Sequence, residues 1–124
     1  MTSTFLTSSN STNIPLIANG RFIGTYEFGG SLLSAVVNCY ASTNIRVEIF
    51  ENPVNTDTTL EVAISTTTIP RNTLQDISVK LSFPYFKIIV TNLEAILQTR
   101  MNIKTVYTNL LPLSDNPLSV VITG

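Results

Sequence analysis

SFPYFKIIVTN, residues 82–92, places a proline-led pair of aromatics ahead of a short alternating run that closes on Thr-Asn. At period two, Phe86, Ile88 and Val90 fall on one face, with Tyr85, Lys87, Ile89 and Thr91 on the other. That pattern describes a half-buried strand of an antiparallel sheet. Pro84 stands where no ladder donor is needed. Tyr85 and Phe86 point to opposite faces and anchor the strand start on both. Thr91-Asn92 is expected to end the strand, because Asn tolerates a left-handed turn.

Working outward, the same alternation recurs between turn signals. RFIGTYEF (21–28) sets Phe22, Tyr26 and Phe28 against Arg21, Thr25 and Glu27, with Gly24 marking a bulge or a close backbone approach. Gly29-Gly30 then turns the chain into SLLSAVVNCY (31–40). IRVEIF (45–50) points Ile45, Val47 and Ile49 inward and Arg46, Glu48 and Phe50 outward. ENPVNTD (51–57) reads as a loop, TLEVAIS (59–65) as a strand with Leu60, Val62 and Ile64 on one face, and TTTIPRN (66–72) as a break. LQDISVKLSF (74–83) alternates Ile77, Val79 and Leu81 against Asp76, Ser78 and Lys80. AILQTRMNIKTVY (95–107) opens like a helical turn but reads as a strand through Met101, Ile103 and Thr105. LSVVIT (118–123) is the last strand expected.

The fold class is therefore all-β: an antiparallel β-sandwich, jelly-roll-like, of about eight strands. Three segments are expected. Residues 1–19 form an N-terminal arm able to make a short strand, 20–107 the sandwich core, and 108–124 a C-terminal tail carrying the last strand. A chain of 124 residues fits a single domain.

Composition narrows the function. Charged residues make up only 12% of the chain, about half the usual share, so Thr, Ser and Asn supply the surface polarity. Such a surface suits β-structure and suits coverage by neighbouring subunits, since few charges need desolvating. Net charge is −1 and the seven basic residues form no run, so no nucleic-acid partner is expected. Lys80, Lys87, Arg100 and Lys104 are the set that could still converge on a sheet. No segment has the roughly 20 apolar residues of a membrane-spanning helix, and the N-terminal residues lack the pattern of a secretory signal. The lone cysteine, Cys39, is expected as a buried free thiol, and the NST sequon at Asn10 as a chance match.

No catalytic, cofactor-binding or metal-ligating residue is assigned. With no His, the commonest general base and transition-metal ligand are missing, and a Ser or Cys nucleophile loses its usual activator. Glu48, Glu51, Asp57 and Glu61 are the carboxylates that a hairpin could pair for glycoside hydrolysis, though a solvated strand end is the simpler reading. Glu51, Asn52, Asn55 and Asp57 offer oxygens to calcium without matching a known loop, so an ordinary polar turn is the simpler reading there too. Tyr26, Tyr40, Tyr85 and Tyr107, with Glu27, are the residues a sugar would meet, and their ordinary role is packing with a hydroxyl at the rim.

GRFIGTYEF, STNIRVEIFENP, FPYFKIIVTN and QTRMNIKTVY occur in that order at hairpin spacings. Together they resemble a small β-sandwich domain of structural proteins from tailed phages and large DNA viruses. Phe22, Gly24, Ile49, Asn52, Tyr85, Phe86, Val90, Thr91, Asn92 and Gln98 match the pattern, which spans residues 20–107. Pro84 replaces the family's usual Arg before the aromatic pair, and ENP replaces its Ser-x-Asp.

The resemblance implies a non-enzymatic virion component: a minor capsid, cement or fibre-associated protein, located in the virion. Its partners would be other virion proteins and further copies of itself. The alternative is a receptor- or carbohydrate-binding module of a fibre or adhesin, so a glycan stays open as a partner.

Overall fold

The computed structural model describes residues 4–28, 34–54 and 58–108. The described strands are β1 (Thr4–Thr12), β2 (Arg21–Ile23), β3 (Glu27–Phe28), β4 (Ser34–Ala41), β5 (Ile45–Asn52), β6 (Val62–Ile69), β7 (Gln75–Lys80), β8 (Tyr85–Asn92) and β9 (Met101–Thr108), with a 3₁₀ turn at Thr58–Leu60. They form two antiparallel sheets. The first runs β1-β9-β4-β7 and the second β2-β8-β5-β6, with β3 also pairing β8.

β2 and β3 lie end to end along β8, so they count as one interrupted strand. The remaining pairings then nest. β5 pairs β6, β4 pairs β7, the β2–β3 strand pairs β8, and β1 pairs β9. Two further seams, β4 with β9 and β5 with β8, join this ribbon to itself. A long antiparallel ribbon rolled up in this way is a jelly roll. The all-β class is what the alternation predicts; the eight strands among the described residues, with the interrupted pair counted as one, include β1 (Thr4–Thr12), whereas the predicted set counts 118–123.

The core lies between the sheets. Ala35, Val37, Cys39 and Ala41 of β4 and Met101 and Ile103 of β9 face Ile45, Val47 and Ile49 of β5 and Phe86, Ile88 and Val90 of β8. All are essentially fully buried, and Ile69 and Ile77 close the flank. Phe86 meets Tyr107 edge-on, with ring centroids 5.4 Å apart. The faces predicted for β5, β7 and the inward side of β8 are the faces observed.

Several expectations are corrected. β6 continues through the expected break to Ile69, where Ile69 sits opposite Ile45. A register shift near Ile49/Phe50 and the 3₁₀ turn leave Leu60 and Val62 exposed and only Ile64 against the core. Glu51 and Asn52, expected in a loop, are the buried last residues of β5. Residues 95–100 form no strand, and β9 starts at Met101.

The run 21–28 breaks at Gly24, and the face flips across the break. Phe22 points inward, whereas Glu27 lies opposite the inward Phe86 and Phe28 is exposed. At the N-terminus, Thr4–Thr12 is a nine-residue strand integral to the first sheet, longer than the short strand expected of an arm. Residues 29–30, the tail 109–124 and the expected strand 118–123 fall outside the described residues.

The end of β1 has a structural task. Its register against β9 jumps between Thr7 and Thr12. Within that bulge the fully buried Asn10 leaves its own sheet and reaches the gap in the other. Its side-chain oxygen accepts from the Ile88 N–H at 2.9 Å, and its Nδ2 donates to the Thr25 carbonyl at 3.0 Å. Gly24 N–H donates to the Ile88 carbonyl at 2.8 Å. One side-chain amide thereby does for β8 what an unbroken neighbour strand would do.

Candidate functional site

One end of the sandwich carries the connections 13–20, 42–44, 70–74 and 93–100. These loops are pinned from beneath by buried polar side chains. Asn92, fully buried, donates from Nδ2 to the carbonyls of Ile17 (3.0 Å) and Ile96 (2.8 Å). Its Oδ1 accepts from Thr43 Oγ1 at 2.7 Å and from the Glu94 N–H at 3.1 Å. Gln98 Nε2 donates to Thr43 Oγ1 at 3.0 Å, while its Oε1 accepts from the Leu16 N–H at 2.8 Å. Each of these amides is satisfied by groups on other loops, so three connections move as one body. On the rim, Arg71 Nη2 pairs with Glu94 at 2.5 Å, and Glu94 Oε2 also accepts from the Asn44 N–H at 2.7 Å.

On this platform sit Ile14, Ile17, Leu93, Ile96 and Leu97, between 38% and 70% exposed. Scattered exposed aliphatics are ordinary, but five large ones on the 13–20 and 93–100 loops of one end form a group. Asn92 does this with no left-handed backbone; among the described non-glycine residues only Asn19 and Asn72 have positive φ. The left-handed turn expected at Asn92 is therefore corrected: its side chain, tying down two carbonyls, is what the position uses.

A second cluster occupies the outer face of the β2-β8-β5-β6 sheet. Lys87 Nζ pairs with Glu61 Oε2 at 2.9 Å and lies 4.6 Å from the Tyr26 ring centroid and 5.8 Å from that of Phe50. Tyr26 donates its hydroxyl hydrogen to the same Glu61 oxygen. Burial would raise the Glu61 carboxyl, but hydrogen bonds from Tyr26 and Lys87 and the charge of Lys87 hold it below the usual carboxylate range. Burial and the Glu61 carboxylate push the Tyr26 phenol well above the ordinary tyrosine range. The group is internally satisfied and clamps the start of β6 onto β8. Next to it, Phe28 and Tyr85 make a ring pair with centroids 5.4 Å apart.

The carboxylates singled out in the sequence do not converge. Glu48 faces outward beside Arg46, with Nε 3.5 Å from Oε1. Glu51 is turned between the sheets, where Oε2 accepts from the Ser82 and Phe83 N–H groups at 2.8 and 3.2 Å. Glu61 is held by Lys87 and Tyr26, and Asp57 falls outside the described residues. Neither the hydrolytic pair nor the calcium loop is assembled from Glu51 and Asn52. Asn52 Oδ1 instead accepts from the Val54 N–H at 3.0 Å, and Asn55 falls outside the described residues.

Of the four cations, Lys87 lies on the outer face of one sheet, while Lys80 and Lys104 project from strands of the other and Arg100 precedes β9. Glu27 faces inward toward Tyr107 and Asn10. Cys39 is a buried free thiol and Asn10 is fully buried with its amide engaged. Among the described residues no group of three or more His, Cys, Asp or Glu side chains could hold a metal. The polar network around Asn92 was missed because its members are separated by most of the chain. Their signal was only that Asn, Thr and Gln stand at strand ends.

No known protein family matches the chain, and no curated protein matches it. Solved structures do. The chain is similar to the PBSX exported protein XepA, with a TM-score of 0.68 at 17% identity over 85% of this chain, and it spans 36% of that protein's length. It is similar to a subunit of Bacillus endospore appendages, which form disulfide-linked pili, with a TM-score of 0.58 at 9% identity over 90% of this chain and 89% of that one. It is also similar to PirA, with a TM-score of 0.52 at 12% identity over 82% and 95% of the two chains. At these identities the likeness is one of fold.

Proposed function

We propose that this chain is a non-enzymatic structural protein of a virus particle, a minor capsid, cement or fibre-associated component, located in the virion and acting through contacts between subunits. The observation that carries the reading is the group Ile14, Ile17, Leu93, Ile96 and Leu97, displayed on loops fixed by Asn92 and Gln98. Aliphatic side chains held on a pre-ordered platform lose little further entropy when covered, and covering them gains the usual hydrophobic free energy. The occupant is a second copy of this chain. The names attached to two of the similar folds, an exported protein of PBSX and a pilus subunit of spore appendages, accord with a building block. Low charge keeps the desolvation cost of such contacts small. In this reading LSVVIT (118–123) adds as a strand to a neighbour's sheet edge.

Light scattering coupled to size exclusion, over a concentration series, tests it. The expected result is a mass that rises with concentration for the full chain and stays monomeric for Ile96→Asp/Leu97→Asp, with the β-sheet circular dichroism of the two unchanged. A full chain that remains monomeric throughout would overturn self-assembly.

A further inference from the structure

On the outer face of the β1-β9-β4-β7 sheet lies an open groove of about 540 Å³, lined by Asn13, Tyr40, Leu74, Arg100, Met101 and Asn102. Its volume is within the range of about 300–1,000 Å³ common to small-ligand sites. We propose that this groove binds an acidic saccharide, with Arg100 taking the carboxylate and Tyr40 supporting a sugar ring.

The walls are built on fixed backbone. Tyr40 and Asn102 are directly opposite in the β4–β9 ladder, so their side chains stand together on the outer face. Tyr40 donates its hydroxyl to Asn72 Oδ1 at 3.3 Å, which sets the ring at the groove's edge. Asn72 is itself held by its N–H to the Ala41 carbonyl at 2.8 Å. Leu74 immediately precedes β7, whose first residue lies opposite Cys39. At Arg100 the backbone is gripped twice by Ser42: Ser42 Oγ accepts the Arg100 N–H at 3.2 Å, and Ser42 N–H donates to the Arg100 carbonyl at 3.0 Å. The backbone of the site therefore needs little ordering on binding.

The lining chemistry selects the ligand. Arg46, Arg71 and Lys87 each pair with a carboxylate, whereas among the described residues Arg100 makes no ion pair and no acidic side chain lines the groove. A free guanidinium in a groove without counter-charge is matched to a carboxylate, which it can engage bidentately. Asn13 and Asn102 each offer both donor and acceptor, the complement of sugar hydroxyls, which also do both. Tyr40 and Leu74 supply an apolar flank for the C–H face of a ring. A bare phosphate would use the Arg and leave that flank idle. The test is separate from that of the assembly reading, since the groove residues are not those substituted there.

The experiment is a titration of the full ¹⁵N-labelled chain, followed by amide NMR, with tetragalacturonate, neutral maltotetraose and inorganic phosphate. Tetragalacturonate is expected to shift the amides of Asn13, Asn72–Leu74 and Arg100–Asn102. It should bind about tenfold or more tightly than maltotetraose. Arg100→Gln should weaken tetragalacturonate about tenfold without moving maltotetraose, and Tyr40→Ala should weaken both. Each variant's unshifted core resonances report that it is folded. Shifts absent from the groove, an Arg100→Gln variant that binds the acid as tightly as wild type, or phosphate binding equally well in the Tyr40→Ala variant would each overturn the proposal.

Discussion

The side-chain oxygen of Asn10 lies 2.0 Å from the place a Cβ on Gly24 would take. Gly24 is therefore fixed by a neighbour, and the neighbour belongs to the opposite sheet. Gly24→Ala must displace the buried amide that serves Ile88 and Thr25, and should destabilise the protein by about 1–3 kcal/mol. Asn10→Ala removes the same amide and leaves an N–H and a carbonyl unpaired, at a cost of about 3 kcal/mol. Urea midpoints measure both. The double variant should lose less than the sum, because both changes break one contact.

Phe86 is fully buried and edge-on to Tyr107. Phe86→Ala should cost about 3–5 kcal/mol, read as a lowered thermal or chemical midpoint. An unshifted midpoint would refute its anchoring role.

Glu61 yields a pH dependence with a defined sign. Its carboxyl is held below its ordinary value of 4.5 in the folded chain, so the folded state favours the charged form. The stabilisation is complete above the unfolded-state value and disappears as pH falls through the lower folded-state one. Wild type should exceed Glu61→Gln in urea midpoint at pH 6, and the gap should close progressively below about pH 4.

Cys39 should be inert in the native state. Burial, with the Asp76 charge as a second cause, pushes its thiol up to about 12, and its side chain has no exposure. Iodoacetamide at pH 8 should leave it unmodified by mass spectrometry, with full modification once urea unfolds the chain. Rapid native labelling would contradict this.

Much of the fold was legible because β4, β5, β7, β8 and β9 carry clean alternation, and alternation is what a two-sided sheet imposes. Alternation ends β6 too early because its second half, Ser65-Thr-Thr-Thr-Ile69, has no apolar partner to each Thr. An edge strand with an open outer face does not require one. In sequence β1 reads as an arm for a related reason. Its Ser-Ser-Asn-Ser stretch is held by side-chain hydrogen bonds, Thr105 Oγ1 to the Asn10 carbonyl and Thr105 N–H to Ser11 Oγ, and not by apolar burial. Gly24 did announce a close approach, but its partner could not be named from sequence. The candidate surfaces were least legible. Asn92, Thr43 and Gln98, like Tyr26, Glu61 and Lys87, meet only because the ribbon rolls, and no local spacing encodes such a meeting.

The nested pairing also has a consequence in time. Only β5 and β6 can find each other locally; each pair outside them must wait for a longer segment to close, ending with β1 against β9, which joins the two extremes of the described chain. Loop-closure entropy makes each later step harder to initiate before the one inside it has formed. Folding should then proceed outward from the 45–69 hairpin on the slow timescale of non-local β-topologies. Asn10 would be the last to lock, so an incomplete chain lacking its first strand exposes the gap at Gly24 and the flank of β9 together. Such a half-closed intermediate is the species most exposed to pairing with its own copies before the roll is shut.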